Sequence, residues 1–229
     1  MNSSAPTPFS VDAAIIDLDG TLVDTLGDFE EALGRMLREF GRTALSRAEI
    51  SRMVGKGSEH LVQSALARAG LAQQDVADAL QRYLRHYEAI NGRHVALFPG
   101  VREGLQALQA HGLRLACLTN KPQGLARTLL RSLGLDGFFA CIHGGDSFAR
   151  KKPDPLPLQK TCEALGTDTA HTLMIGDSAN DAQAARAAGC PVVLVTYGFN
   201  HGEPVRQVDA DGFVDSLEAV PALCRRRRP

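Results

Sequence analysis

Two textures of apolar and polar residues divide this chain. Near the start, Ala13-Ala14-Ile15-Ile16 is an unbroken apolar run, which predicts a short strand buried on both faces. A long stretch with a helical period follows. Leu26–Phe40 carries Phe29, Leu33, Met36, Leu37 and Phe40 on one face. Ser46-Arg47-Ala48-Glu49 has the pattern of a capping box opening a second short helix. Ser58–Ala69 and Ala72–Ile90 continue the theme, with Leu61, Ala65 and Leu66, then Val76, Leu80, Tyr83, Leu84 and Tyr87. Gly41, Gly55, Gly57 and Gly70 punctuate the ends. A helical block of this length packs on itself as a small bundle.

From Pro99 onward helices and strands alternate. Helical patterns at Val101–His111, Gln123–Leu133, Pro155–Leu165 and Ala179–Ala188 are interleaved with apolar runs at Leu113–Leu118, Phe139–His143, Thr172–Ile175 and Pro191–Val195. Repeated units of this kind build a parallel sheet with helices on both faces. The predicted architecture is α/β: a core made of residues 1–23 and 96–229, its first crossover interrupted by a helical cap over residues 24–95.

Composition narrows the classes. The 229 residues are 44% hydrophobic and 22% charged, with a formal net charge of -1, ordinary for a soluble globular protein and without general attraction for nucleic acid or an anionic membrane. Arg225–Arg228 reads as a solvated tail. The five cysteines form no CxxC pair and the seven histidines no HxxxH spacing, which argues for reduced thiols in a cytoplasmic setting and against zinc. Met1–Ser10 has no basic residues and no apolar stretch, unlike a signal peptide. No apolar run approaches the ~20 residues of a membrane helix.

Three strands end in polar residues, and ligands of open α/β sheets bind at carboxyl ends of strands. The first leads into Asp17-Leu18-Asp19-Gly20-Thr21-Leu22, the second into Thr119-Asn120-Lys121, the third into Gly176-Asp177-Ser178-Ala179-Asn180-Asp181. Asp177 or Ser178 as a simple helix cap accounts for one of these residues and leaves Asp181, one turn on, without a role. Asp17, Asp177 and Asp181 in one cleft would repel one another into protonation without a cation. Hard oxygen ligands with open space suit Mg²⁺. Lys151-Lys152-Pro153-Asp154-Pro155 supplies positive charge, with the prolines stiffening the chain after Lys152.

These four segments resemble the motifs of the haloacid dehalogenase superfamily of phosphotransferases, in the right order and from Ala13 to about Leu217. The resemblance implies a Rossmann-like core with an inserted helical cap. It further implies Asp17 as nucleophile, Asp19 as general acid and then base, and Thr119, with Asn120 beside it, as phosphate ligand. Lys152 would neutralise charge. Mg²⁺ would be held by Asp17, Asp177 and the backbone carbonyl of Asp19, with Asp181 supporting the metal shell. Dehalogenases of the superfamily have an aromatic residue in place of the second aspartate, so Asp19 points to the phosphatases. Asp17–Asp24, Gly144-Gly145-Asp146 and Thr196–Pro204 look like the phosphoglycolate phosphatases among them.

The resemblance also implies that the loop Gly55-Lys56-Gly57-Ser58 reads the organic part of the substrate; a helix start there favours an anion. An ordinary glycine-rich helix boundary is the competing reading of that loop, and Lys56 either reaches inward or points to solvent. The expected reaction is hydrolysis of a small phosphate monoester, with 2-phosphoglycolate as the leading substrate. A pyrophosphatase, a sugar-phosphate phosphatase or mutase, and a non-catalytic phosphate-binding module are the alternatives.

Overall fold

A computed structural model describes residues 9–72 and 75–225. The N-terminal segment before Phe9, and all of the Arg225–Arg228 run except Arg225, lie outside the described residues, as do two residues of the predicted Ala72–Ile90 helix.

The chain begins with β1 (Phe9–Ser10), β2 (Ala13–Ile16) and β3 (Val23–Asp24), followed by helices α1 (Leu26–Glu39), α2 (Arg47–Ser51), α3 (Ser58–Arg68) and α4 (Val76–Ile90). It returns through β4 (Ala96–Leu97) to α5 (Val101–Ala110), β5 (Arg114–Leu118), α6 (Gln123–Ser132), β6 (Cys141–His143) and α7 (Leu156–Leu165). The remainder is β7 (Thr172–Gly176), α8 (Ala179–Ala188), β8 (Val192–Val195), β9 (Gly212–Val214) and β10 (Cys224–Arg225).

Among the described residues six strands form one sheet in the order β6-β5-β2-β7-β8-β9, every pairing parallel. The fold is α/β with a Rossmann-like parallel core. Strand β2 is central, and all four of its residues are fully buried. Ala14 and Ile16 join the apolar layer on one face, with Leu105 and Leu129, while Ala13 and Ile15 join the other, with Leu158 and Ala185. This is why β2 reads as a continuous apolar run rather than an alternating one. The apolar pattern did not reveal β9, whose three residues stand among Asp209, Asp211 and Asp215. Only pairing with β8 gives it a strand's identity.

Helices α1 to α4 bury a cluster of their own, including Phe29, Leu33, Met36, Leu61, Leu66, Tyr83 and Tyr87. The capping box of Ser46 and Glu49 forms at α2 with both reciprocal bonds. A two-stranded antiparallel ribbon, Val23 against Leu97 and Asp24 against Ala96, carries the chain out of the sheet and back. Asp28 is fully buried next to that ribbon. Its carboxylate accepts from the Gly92 and His94 N–H groups at 2.6 and 2.8 Å, so the two ends of the helical segment are joined. Among the described residues no helix is long and apolar enough to cross a membrane.

Candidate active site

The sheet reverses its winding at β2. The chain moves from β2 outward through β5 and β6, then crosses back to β7 on the other side. A crevice opens at such a point, at the carboxyl ends of the strands. Ile16 lies in register with Cys117 of β5 and Ile175 of β7. The residues just beyond these strands therefore meet: Asp17, Thr119 and Asp177, all buried.

The Asp177 carboxylate is held from two directions. Its Oδ1 accepts from the Thr21 hydroxyl at 3.0 Å, and its Oδ2 from the Phe199 N–H at 2.6 Å. The Tyr197 hydroxyl in turn donates to the Thr21 carbonyl at 2.9 Å. Two glycines permit this crowding. A Cβ on Gly20, which has φ +89°, would lie 2.2 Å from Asp177 Oδ2, and one on Gly198 would lie 2.3 Å from Asp177 Cβ. The Thr196–Pro204 loop, which carried only family likeness in the sequence, thus clamps a site carboxylate. Burial pushes the Asp177 carboxyl well above the ordinary range, and the neighbouring Asp181 and Asp17 push it further.

Lys152 is 3% exposed and lies at the centre of the cluster. Its Nζ donates to the Leu118 carbonyl at 2.8 Å and to Asp181 Oδ1 at 2.7 Å. Asp17 Oδ1 is 3.0 Å away, an ion pair without an aligned hydrogen bond. Burial alone would lower the Lys152 pKa, but Asp17 and Asp181 outweigh it and hold the ammonium above its ordinary value. Asp17 is pushed up to about 7, chiefly by burial, with Lys152 opposing and Asp181 adding to the rise.

Asp181 has both oxygens engaged. Oδ1 holds Lys152, and Oδ2 accepts from the Ser178 hydroxyl at 2.8 Å and from the Ser178 and Asp177 N–H groups at 3.2 and 3.3 Å. It closes the capping box of α8 and orients the lysine.

One oxygen from each of Asp17, Asp177 and Asp181 lies within 4.8 Å of the others. Of these three buried carboxyls, Asp17 and Asp181 share the single ammonium of Lys152, and Asp17 Oδ1 has no hydrogen-bond donor. The donor set is all hard oxygen, and its unbalanced negative charge fits a divalent cation such as Mg²⁺.

On the other side of Asp17 the core meets the helices. Asp19 Oδ1 and Oδ2 accept from Lys121 Nζ at 2.9 and 3.2 Å. Lys121 is 5% exposed, and its ammonium stands 4.8 Å over the Phe29 ring and 4.6 Å over the Tyr87 ring. Such cation–π contacts add attraction in a desolvated place. The sequence placed Lys121 at a strand end without giving it a role; its position after Thr119-Asn120 was the one available signal.

Thr119 Oγ1 accepts from the Lys121 N–H at 3.2 Å, which leaves the hydroxyl hydrogen for another partner. Asn120 spends both amide hydrogens on protein carbonyls, those of Gly55 and Lys152, each at 2.9 Å. The Asn180 amide also donates to the Gly55 carbonyl, at 3.0 Å. Two core asparagines therefore fasten the loop before α3 onto the sheet edge. Gly55, Gly57 and Ser58 line a cavity of about 30 Å³ shared with Asp19, Phe29, Tyr87, Asn120 and Lys121. Lys56 is exposed and belongs instead to an outer groove beside Arg150 and Lys151, so of its two expected directions the structure has the outward one.

The model of the haloacid dehalogenase-like hydrolases matches residues 14–195. The chain is 48% identical over 212 residues to a phosphoglycolate phosphatase, described as plasmid-borne, of Cupriavidus necator, covering 92% of each chain. It is 46% identical to a phosphoglycolate phosphatase of Thiobacillus denitrificans, over 92% of this chain and 94% of that one. A crystal structure of a predicted phosphoglycolate phosphatase from Haemophilus somnus superposes with a TM-score of 0.89 at 31% identity, covering 93% of this chain and 97% of that chain. With this match across the whole span of the site, the chain belongs to the haloacid dehalogenase-like hydrolase family.

Proposed function

We propose that the protein is a Mg²⁺-dependent phosphoric monoester hydrolase whose foremost substrate is 2-phosphoglycolate. The observation that carries this reading is the convergence of Asp17, Asp19, Thr119, Lys152 and Asp177 around the ends of three adjacent parallel strands. Relatives at 46 and 48% identity that carry the phosphoglycolate phosphatase name support the substrate.

Asp17 is the nucleophile. Its carboxylate oxygen bonds to phosphorus while the bond to the leaving alkoxide breaks, and Asp19 delivers a proton to that alkoxide. Asp19 then takes a proton from a water whose oxygen attacks the phosphorus of the aspartyl-phosphate. Inorganic phosphate leaves, and the Asp17 carboxylate is restored. Lys152 and the Thr119 hydroxyl face the phosphate oxygens, where charge must be neutralised. Asp17, Asp177 and the Asp19 carbonyl would hold Mg²⁺, with Asp181 supporting them. Bound there, the ion offsets repulsion between a phosphate dianion and a carboxylate nucleophile. Residues 24–95 act as a cap over a catalytic core of residues 1–23 and 96–229. The cytoplasm is the proposed setting, where the five free cysteines stay reduced.

A turnover screen of small phosphate esters with Mg²⁺ tests the reading. The highest kcat/KM is expected for 2-phosphoglycolate, above p-nitrophenyl phosphate and neutral sugar phosphates. A clear preference for pyrophosphate or a sugar phosphate overturns the substrate and leaves the hydrolase.

A further inference from the structure

The cavity between the helices and the sheet edge holds groups that phosphoryl transfer leaves unused. Tyr87, on α4, lines it and is 1% exposed, and its hydroxyl is buried without a hydrogen-bond partner. Packing does not need that hydroxyl. The ring sits 5.5 Å from Phe29 and 5.6 Å from Tyr83, contacts a phenylalanine would keep. A buried O–H without an acceptor is costly to retain and calls for a functional reason.

Lys121 shares the cavity. Asp19 engages two of its three ammonium hydrogens. The first turn of α3 borders the same space through Gly57 and Ser58, and no side chain caps it; its leading N–H groups have no partner within the helix. Donors thus converge here from α4, from the end of β5 and from α3. Among the described residues Asp19 is the one carboxylate lining the cavity, and Lys121 lies against it. A second anion entering the space meets the ammonium. About 30 Å³ is room for one or two waters, which suits a carboxylate group better than a sugar ring.

Resting on the phosphatase reading, we infer that Tyr87, Lys121 and the first turn of α3 form the subsite that selects a carboxylate on the organic part of the substrate. Tyr87 is its specificity-determining residue. The phosphate lies at Asp17, and the carboxylate accepts the Tyr87 O–H and the remaining Lys121 donor.

The test compares 2-phosphoglycolate with 2-hydroxyethyl phosphate, which has an alcohol in place of the carboxylate, in the parent and in Tyr87→Phe. Hydrogen bonds to charged groups set the expected scale, roughly 10- to 100-fold. Tyr87→Phe should lose that much kcat/KM on the acid, through KM, and change little on the alcohol. Its melting temperature should equal or exceed the parent's. If the parent prefers the acid and Tyr87→Phe keeps the whole preference, the subsite is wrong while the function stands. If the parent shows no preference, subsite and substrate fall together. If it hydrolyses neither ester, the proposed substrate falls while the hydrolase reading stands, and calorimetric binding of glycolate then judges the subsite alone. Binding weakened by Tyr87→Phe upholds it; unchanged binding, or none in the parent, overturns it.

Discussion

The two sides of Asp17 are built on different principles. Toward Asp177 and Asp181, two buried carboxyls, Asp17 and Asp181, share one lysine, a third, Asp177, is held by Thr21 and the Phe199 N–H, and most other polar groups are committed to a protein partner. Toward the helices, one lysine stands among aromatic faces, with a tyrosine hydroxyl left over. The first side is a hydrogen-bonded framework with excess negative charge, whose donor set suits a cation. The second is a small apolar space with a few donors, suited to recognition. On the proposed function, chemistry falls to the strand ends and selection to the space they share with the helical segment.

The contrast can be broken most severely at the nucleophile. Asp17→Asn should lower kcat by at least about 10³-fold, because the amide is nearly isosteric but cannot form the acyl-phosphate. The melting curve should stay close to the parent's or rise, since the substitution removes a crowded charge. Substantial turnover by a deamidation-free preparation would refute the covalent route.

Metal removal comes next. Chelation should abolish activity and Mg²⁺ should restore it, with Ca²⁺ a poor substitute because of its longer bonds and higher coordination number. Mg²⁺ should also raise the melting temperature, an effect that Asp177→Asn should diminish. Full activity after rigorous chelation would remove the cation from the site.

A smaller effect should come from Gly198→Ala. The new Cβ would press on Asp177 and displace the Phe199 N–H that fixes it, so Mg²⁺ affinity should fall about 10- to 100-fold, as for other supports of metal ligands. Titration of activity with Mg²⁺ reads this directly, and an unchanged midpoint would show that the clamp is not needed.

Least affected should be Lys56→Ala. An exposed lysine in the outer groove is screened by salt, so kcat/KM for 2-phosphoglycolate should change by less than about threefold at physiological ionic strength. A tenfold loss would mean that Lys56 reaches the substrate, and the two-sided division would need a third part.

Legibility in the sequence followed the range of the interactions. β2 was readable because burial on both faces leaves no polar residue in the strand. Asp17, Asp19, Thr119, Lys152, Asp177 and Asp181 were visible because each stands in a short motif next to an apolar run or a stiffened loop. Lys121 was in plain view and without a role, since its meaning depends on Asp19, 102 positions away in the chain, and on Phe29 of α1 and Tyr87 of α4. Phe29 and Tyr87 read only as parts of an apolar helical face, and periodicity cannot separate a ring that packs from one that also borders a cavity. The Phe199 N–H was beyond reach, because a backbone donor has no side-chain signature.

By itself, then, the sequence determined the α/β alternation, the long helical interruption and the carboxylates at the strand ends, all products of local pattern and solvation. Tertiary structure alone decided which oxygen each donor satisfies: Lys152 bonded to Asp181 and leaving Asp17 Oδ1 without a hydrogen bond, Asn120 spent on Gly55, and the Tyr87 hydroxyl left unpaired. The physical reason is that hydrogen bonds depend on angstrom-scale geometry among residues far apart in the chain, whereas burial and periodicity are written into each segment separately.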